Sequence, residues 1–129
     1  MDIAQVEAVF PGFIEWPSSW AGEGQDLALG RGLLQAMCPF IEHLLDQGLS
    51  DRTLSRHVNN LWLLGGEIVR SAPSKGKKAA DSAQQLSSAL GPEGGPPCRL
   101  LLSAGAEDSY HVTCRKLFRF LERERQLSL

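Results

Sequence analysis

Hydrophobic residues recur at steps of three and four through most of the chain, which is the spacing of amphipathic helices. The pattern holds from about Asp26 to Gln47, from Asp51 to Ser71, from Lys77 to Leu90 and from Tyr110 to Arg125. No segment of the sequence shows the alternation of hydrophobic and polar residues that a half-buried strand requires. The pattern therefore predicts an all-α fold, a single-domain bundle of four main helices.

The corner between the first two long helices carries its own signals. Gly48 can adopt the left-handed conformation that ends a helix, and Ser50 is suited to cap the next one. Leu49 and Leu54 stand at the two positions of a hydrophobic staple. We therefore expect a tight, well-specified turn between these helices.

Two other segments have distinct patterns. Residues 1–25 combine prolines and glycines with Trp16 and Trp20, which predicts a short helix or turn and then an extended strap over the core of a helical domain at residues 26–129. Toward the end, GPEGGPP predicts a loop and CRLLLSAG a short helix, with Asp108 or Ser109 capping the last helix. Gly65 and Gly66 cost helix stability, so we expect a neighbouring backbone to approach there.

Length and composition limit the class of protein. With 129 residues, 43% of them hydrophobic, the chain can bury one core. It has no run of about 20 apolar residues and no basic, signal-like start, so we expect a soluble, cytoplasmic protein without a membrane partner. Cys38, Cys98 and Cys114 are scattered, which favours reduced thiols over a disulfide framework or a zinc site.

The net charge of −2 conceals an asymmetry. Residues 1–50 hold one basic and seven acidic side chains, whereas residues 51–129 hold twelve basic and eight acidic ones. A basic second part favours an anionic partner, although two solvated faces of opposite sign would give the same count.

Motifs for catalysis are missing from the sequence. It contains no nucleophile elbow, no phosphate-binding P-loop and no metalloprotease motif, and His43, His57 and His111 are isolated from one another. We therefore expect no enzyme activity, no cofactor and no metal.

Two stretches carry a family resemblance. FIEHLLDQGLSDRTLSRHVNNLWLL, residues 40–64, resembles the start of the SAM-like core-binding domain of tyrosine recombinases and phage integrases. TCRKLFRFLERERQL, residues 113–127, is similar to the last helix of that domain. The matching positions are Gly48, Leu49, Ser50, Thr53, His57, Leu61, Arg115, Leu117, Phe118, Phe120 and Leu121.

The resemblance implies a DNA-binding face. In that family the second and fourth helices face the duplex, and the basic SKGKK connection would add to them. The residues expected to contact DNA are Arg52, Arg56, Asn59, Lys75, Lys77, Lys78, Arg115, Lys116 and Arg119. The segment AGAEDSY is acidic where the family tends to be basic, and the recombinase active site has no counterpart, so we expect no strand cleavage.

Two hypotheses remain open at this point. The first is a non-catalytic module that binds double-stranded DNA, with Asn59, Asn60 or an arginine reaching base edges. The second is a protein-interaction or accessory module on the same scaffold, including a homodimer. Leu63, on the arginine stripe, and Phe120, off the apolar face of its helix, would favour the second hypothesis if they were exposed.

Overall fold

The computed structural model describes residues 1–20, 24–71, 82–101 and 103–127, without the side chains of residues 24–26. These parts are all-α and contain no strand. Within the described ranges, six α-helices and one short 3₁₀ turn follow one another. They are α1 (Ile3–Val9), the 3₁₀ turn (Phe13–Glu15), α2 (Trp16–Trp20), α3 (Gly24–Asp46), α4 (Asp51–Ser71), α5 (Ser82–Ala89) and α6 (Ala104–Leu127).

Helix α3 lies at the centre of the fold and contacts α1, α2, α4 and α5. Its fully buried side chains are those that the three- and four-residue periodicity predicts, among them Leu33, Met37, Ile41 and Leu44. Helix α6 packs along α4. Its buried Phe120 also lies against Phe40 of α3, with ring centroids 5.5 Å apart.

The corner between α3 and α4 has the predicted local geometry. Gly48 has a φ of 68°, the left-handed conformation in which glycine avoids a steric cost. The Ser50 hydroxyl accepts a hydrogen bond of 3.2 Å from the backbone N–H of Thr53 and so caps α4. Leu54 is buried, and Leu49 packs against the same core. These contacts fix where α4 begins.

The expectation of an extended N-terminal segment is wrong. The capping box of Asp2 and Gln5 starts α1, and the chain then turns into the 3₁₀ turn and α2. The segment does cover the core, because Trp20 is buried and Trp16 packs against it. Short helices satisfy the backbone hydrogen bonds of this segment, which an extended strap over an apolar surface would leave unpaired.

The last helix begins six residues earlier than predicted. Ser103 caps it, accepting a hydrogen bond of 3.1 Å from the N–H of Ala106, so Asp108 and Ser109 lie inside α6. Residues 98–101 form a turn and not the predicted helix.

The third helix was expected from Lys77 to Leu90. It is observed over Ser82–Ala89, and residues 77–81 lie outside the described part.

The glycine pair of α4 faces a side chain, not the backbone that we expected. The indole of Trp20 lies so close to Gly65 that an added Cβ would fall 2.3 Å from two of its ring atoms. Its Nε1 donates a 3.0 Å hydrogen bond to the carbonyl of Trp62. In return, Nε1 of Trp62 donates to the hydroxyl of Ser19 at 2.9 Å. These reciprocal hydrogen bonds hold α2 against α4.

Candidate nucleic-acid interface

A polar stripe on α4 lies along an open groove. Arg52, Arg56 and Asn59 are exposed at steps of four and three, so they share one face of the helix. The groove has a volume of about 440 Å³, and its opposite wall comes from α6 and the preceding turn through Ala106, Ser109 and Leu101. The stripe is therefore available to an external partner.

A buried hydrogen-bond network joins α4 to α6 beneath this groove. Nδ1 of His57 lies 2.7 Å from the hydroxyl oxygen of Thr113. The side-chain amide of Asn60 donates to that same oxygen at 2.9 Å and to the carbonyl of Ser109 at 3.1 Å. These pairings run in opposite chain directions, so the two helices are antiparallel. The side-chain amide N–H groups of Asn60 are used in this contact, so they cannot donate to a base edge.

Basic side chains of both helices act on the buried imidazole of His57. Burial is the main cause that lowers the pKa of this imidazole from its ordinary value of 6.5. The charges of Lys116 and then of Arg56 add to the effect. Both cations are therefore close enough to act on one buried ring. Within the described residues, neither of them has a carboxylate partner within 4.0 Å.

More basic side chains follow Lys116 along α6. Lys116, Arg119 and Arg123 line a recess of about 120 Å³ at the junction with the end of α3, where His43 and Gln47 form the facing wall. Arg119 thus adjoins Lys116. The structure thus places basic residues on two surfaces, the groove with Arg52 and Arg56 and the recess with Lys116, Arg119 and Arg123.

Arg115 lies on another side of α6. Its guanidinium donates a 3.2 Å hydrogen bond to the carbonyl of Glu93, in the loop that packs on this helix. Successive residues of a helix are about 100° apart around its axis, so Arg115 and Lys116 face different directions. The role of Arg115 in DNA contact stays a prediction. Lys75, Lys77 and Lys78, also predicted to contact DNA, lie outside the described residues.

The loop at residues 91–97 is docked on α6. A tight turn closes it through paired backbone hydrogen bonds between Gly91 and Gly94. The N–H of Gly95 donates to Nδ1 of His111 at 3.2 Å, and the hydroxyl of Tyr110 donates to the carbonyl of Pro96 at 2.9 Å. Tyr110 is fully buried and its pKa is raised, chiefly by burial. It is thus a structural residue in this fold.

The two residues that would have favoured a protein contact are packed. Phe120 is only 9% exposed, because it fills the junction between Phe40 and His43 of α3. Leu63 is partly buried against the core. Neither residue lines the groove beside the arginine stripe.

The buried carboxylate of Glu67 has a structural role. Buried Glu67 pairs with Arg70 at 2.7 Å and accepts a hydrogen bond from the backbone N–H of Arg99 at 3.3 Å, so it anchors the turn before α6.

In the parts that the structure describes, no group of three or more His, Cys, Asp or Glu side chains is arranged to hold a metal. No helix in those parts is long and apolar enough to cross a bilayer. The three cysteines are free thiols.

The sequence alone did not identify the recess. His43 and Gln47 are one helical turn apart at the end of α3, and Lys116, Arg119 and Arg123 share one face of α6. Their spacing was visible, but only the packing of Phe120 against α3 brings the two sets together. Comparison of the chain with protein-family models, curated proteins and solved structures found no match.

Proposed function

We propose that this chain is a non-catalytic module that binds duplex DNA, as its resemblance to the integrase core-binding domain implies. The observation that supports this most is the exposed stripe of Arg52 and Arg56 along an open groove, with Lys116, Arg119 and Arg123 on α6, the helix that forms the groove's opposite wall. The backbone phosphates of a duplex suit a surface of exposed basic side chains, because their neutralisation releases counterions and so drives binding.

The charge and exposure of these cations suit a polyanion. Arg52, Arg56 and Asn59 line a groove that is open to solvent, and Phe120 and Leu63 are packed into the protein. Exposed guanidinium groups without a nearby carboxylate can form bidentate contacts with phosphate oxygens. Under this proposal, Asn59, which lines the same groove as the arginines, contacts a base edge through its side-chain amide.

Binding is tested by fluorescence anisotropy with a labelled duplex of mixed sequence, over a series of salt concentrations. With four or five phosphate contacts, the slope of log affinity against log salt should be about −4. Replacing Arg56 with glutamate should weaken binding to every sequence alike and make the slope less negative by about 1.

Arg31 supplies the matched control. It is also an exposed arginine within a long helix, but it lies on α3 beside α5, away from the groove. Arg31→Glu makes the same change of charge and should leave the slope unchanged. Equal losses for Arg31→Glu and Arg56→Glu would mean that only net charge matters, and no binding at low salt would reject duplex binding.

A further inference from the structure

The recess between α3 and α6 differs from the groove in size and in lining. It has a volume of about 120 Å³, well below the roughly 300–1,000 Å³ of sites for drug-sized ligands. Phe40, Leu44 and Phe120 form its apolar part. Its polar part consists of His43, Gln47, Lys116, Arg119 and Arg123, and no acidic side chain lines it. A small anion matches these dimensions and this charge.

The three cations repel one another unless an anion lies between them. Lys116, Arg119 and Arg123 are spaced three and four residues apart on α6, and like charges at this spacing destabilise a helix by about 0.2–0.5 kcal/mol per pair. Within the described residues, none of them has a carboxylate within 4.0 Å. The negative end of the helix dipole accounts for positive charge near the end of α6. It does not account for the polar groups that α3 adds opposite them.

The His43 ring is held by its aromatic neighbours, and neither its side chain nor that of Gln47 makes a hydrogen bond with the described residues. The ring of His43 packs against Phe120, with centroids 5.1 Å apart, and stacks on Phe40 at 6.4 Å. Gln47 lies just after α3, where its backbone N–H donates to the carbonyl of Leu44 at 3.2 Å. The Gln47 amide therefore offers two N–H donors beside the three cations.

We infer that this recess binds a single phosphate group. Arg119 and Arg123 are planar donors suited to bidentate contact with a tetrahedral oxyanion, and Lys116 adds a point charge. Gln47 donates to a phosphate oxygen. The phosphate can belong to a nucleic-acid backbone or to a small phosphorylated molecule, since both present the same oxygens.

The test is an NMR titration of the full chain with sodium phosphate, balanced by sodium chloride to keep the ionic strength constant. The side-chain amide signals of Gln47 and the Nε–H signals of Arg119 and Arg123 should shift with phosphate in a saturable curve. Gln47→Glu places a negative charge in the recess and should weaken phosphate affinity at least about tenfold, as expected from losing a contact worth about 1.4 kcal/mol.

Gln84→Glu is the matched control, since it makes the same change at an exposed position of α5. It should leave the phosphate affinity unchanged. Arg123→Gln, which removes one exposed cation from the recess, should weaken binding without adding a negative charge. Shifts that do not saturate, shifts that chloride reproduces, or equal effects of Gln47→Glu and Gln84→Glu would each overturn the inference.

Adding duplex DNA to the phosphate-saturated protein identifies the source of the phosphate. Displacement of free phosphate assigns the recess to the DNA backbone, and simultaneous binding assigns it to a small phosphorylated molecule. Only this assignment rests on the proposed duplex function. Saturable phosphate binding without any duplex binding would reject that function and leave the recess as an anion site.

Discussion

Alanine at Gly65 should change protein stability in a direction that depends on Trp20. In an exposed helix, Gly→Ala is favourable by about 1 kcal/mol because glycine loses more backbone entropy on folding. At Gly65 the new Cβ would lie 2.3 Å from Cη2 and Cζ2 of the Trp20 indole. That ring cannot easily move away, because it is buried and its Nε1 is bonded to the carbonyl of Trp62.

These contacts set the expected changes in the free energy of unfolding. Overpacking of a core typically costs about 1–3 kcal/mol, so Gly65→Ala should lower the free energy of unfolding despite the gain in helix propensity. Trp20→Ala should lower it by about 3–5 kcal/mol, as for other large aromatic truncations. In the Trp20→Ala background the clash is gone, and Gly65→Ala should then stabilise the protein by about 1 kcal/mol. The reversal of sign is the specific prediction.

The assay is urea unfolding followed by far-UV circular dichroism, since Trp20 is absent from half of the proteins and tryptophan fluorescence would not be comparable. Gly105→Ala is the control, because an added Cβ there meets no atom within 4 Å. Its effect should be the same in both backgrounds. If Gly65→Ala is stabilising in the wild type, or shifts stability equally with and without Trp20, then the indole is not packed against this glycine.

Three further predictions follow from the described contacts. Since the pKa of His57 is lowered in the folded state, the unfolded state binds more protons below the ordinary pKa of 6.5. The protein should therefore lose stability as pH falls from about 6.5 toward the lowered pKa, and His57→Gln should remove that part of the pH dependence. A thiol reagent should modify partly exposed Cys98 first, because Cys38 and Cys114 are buried and burial raises the pKa of Cys114 to about 12. Ser50→Ala should lower the free energy of unfolding by about 1 kcal/mol through loss of the α4 cap.

Each of these predictions has a result that would contradict it. For His57, the free energy of unfolding is measured by urea unfolding at a series of pH values. Parallel pH profiles for the wild type and His57→Gln would mean that folding does not lower the pKa of this imidazole. Mass spectrometry of the labelled protein would argue against the thiol order if Cys114 reacted as fast as Cys98. For the cap, exposed Ser55 in the interior of α4 is the matched position. Equal effects of Ser50→Ala and Ser55→Ala would show that the cap contributes nothing.

Local signals predicted the long helices well. Gly48 and Ser50 act only on their own neighbours, so the end of α3 and the start of α4 follow from the sequence. The buried positions of α3 follow from periodicity, because that helix is surrounded by apolar partners. The start of α6 was predicted wrongly because Ser103, Asp108 and Ser109 are all good caps, and only the position of the preceding turn selects among them.

Long-range packing was not predictable in the same way. Asn60 and Thr113 look like surface residues in sequence, yet they are buried because each satisfies the other. Phe120 lies off the main apolar face of α6, and it is buried because α3 approaches from a second direction. Helix spacing alone groups Arg52 with Arg56, and Lys116 with Arg119 and Arg123, but only the packing of α6 against α3 sets His43 and Gln47 opposite the second group.

The hydrogen-bonded pairs between α4 and α6 also set the axial register of the two helices. A slip by one turn would displace Lys116 by about 5.4 Å relative to Arg56 and would leave the amide of Asn60 without acceptors. Purely apolar side chains would tolerate such a slip more readily, since dispersion contacts are not directional. The contacts among His57, Asn60 and Thr113 therefore fix the axial position of Lys116 on α6 relative to Arg56 on α4.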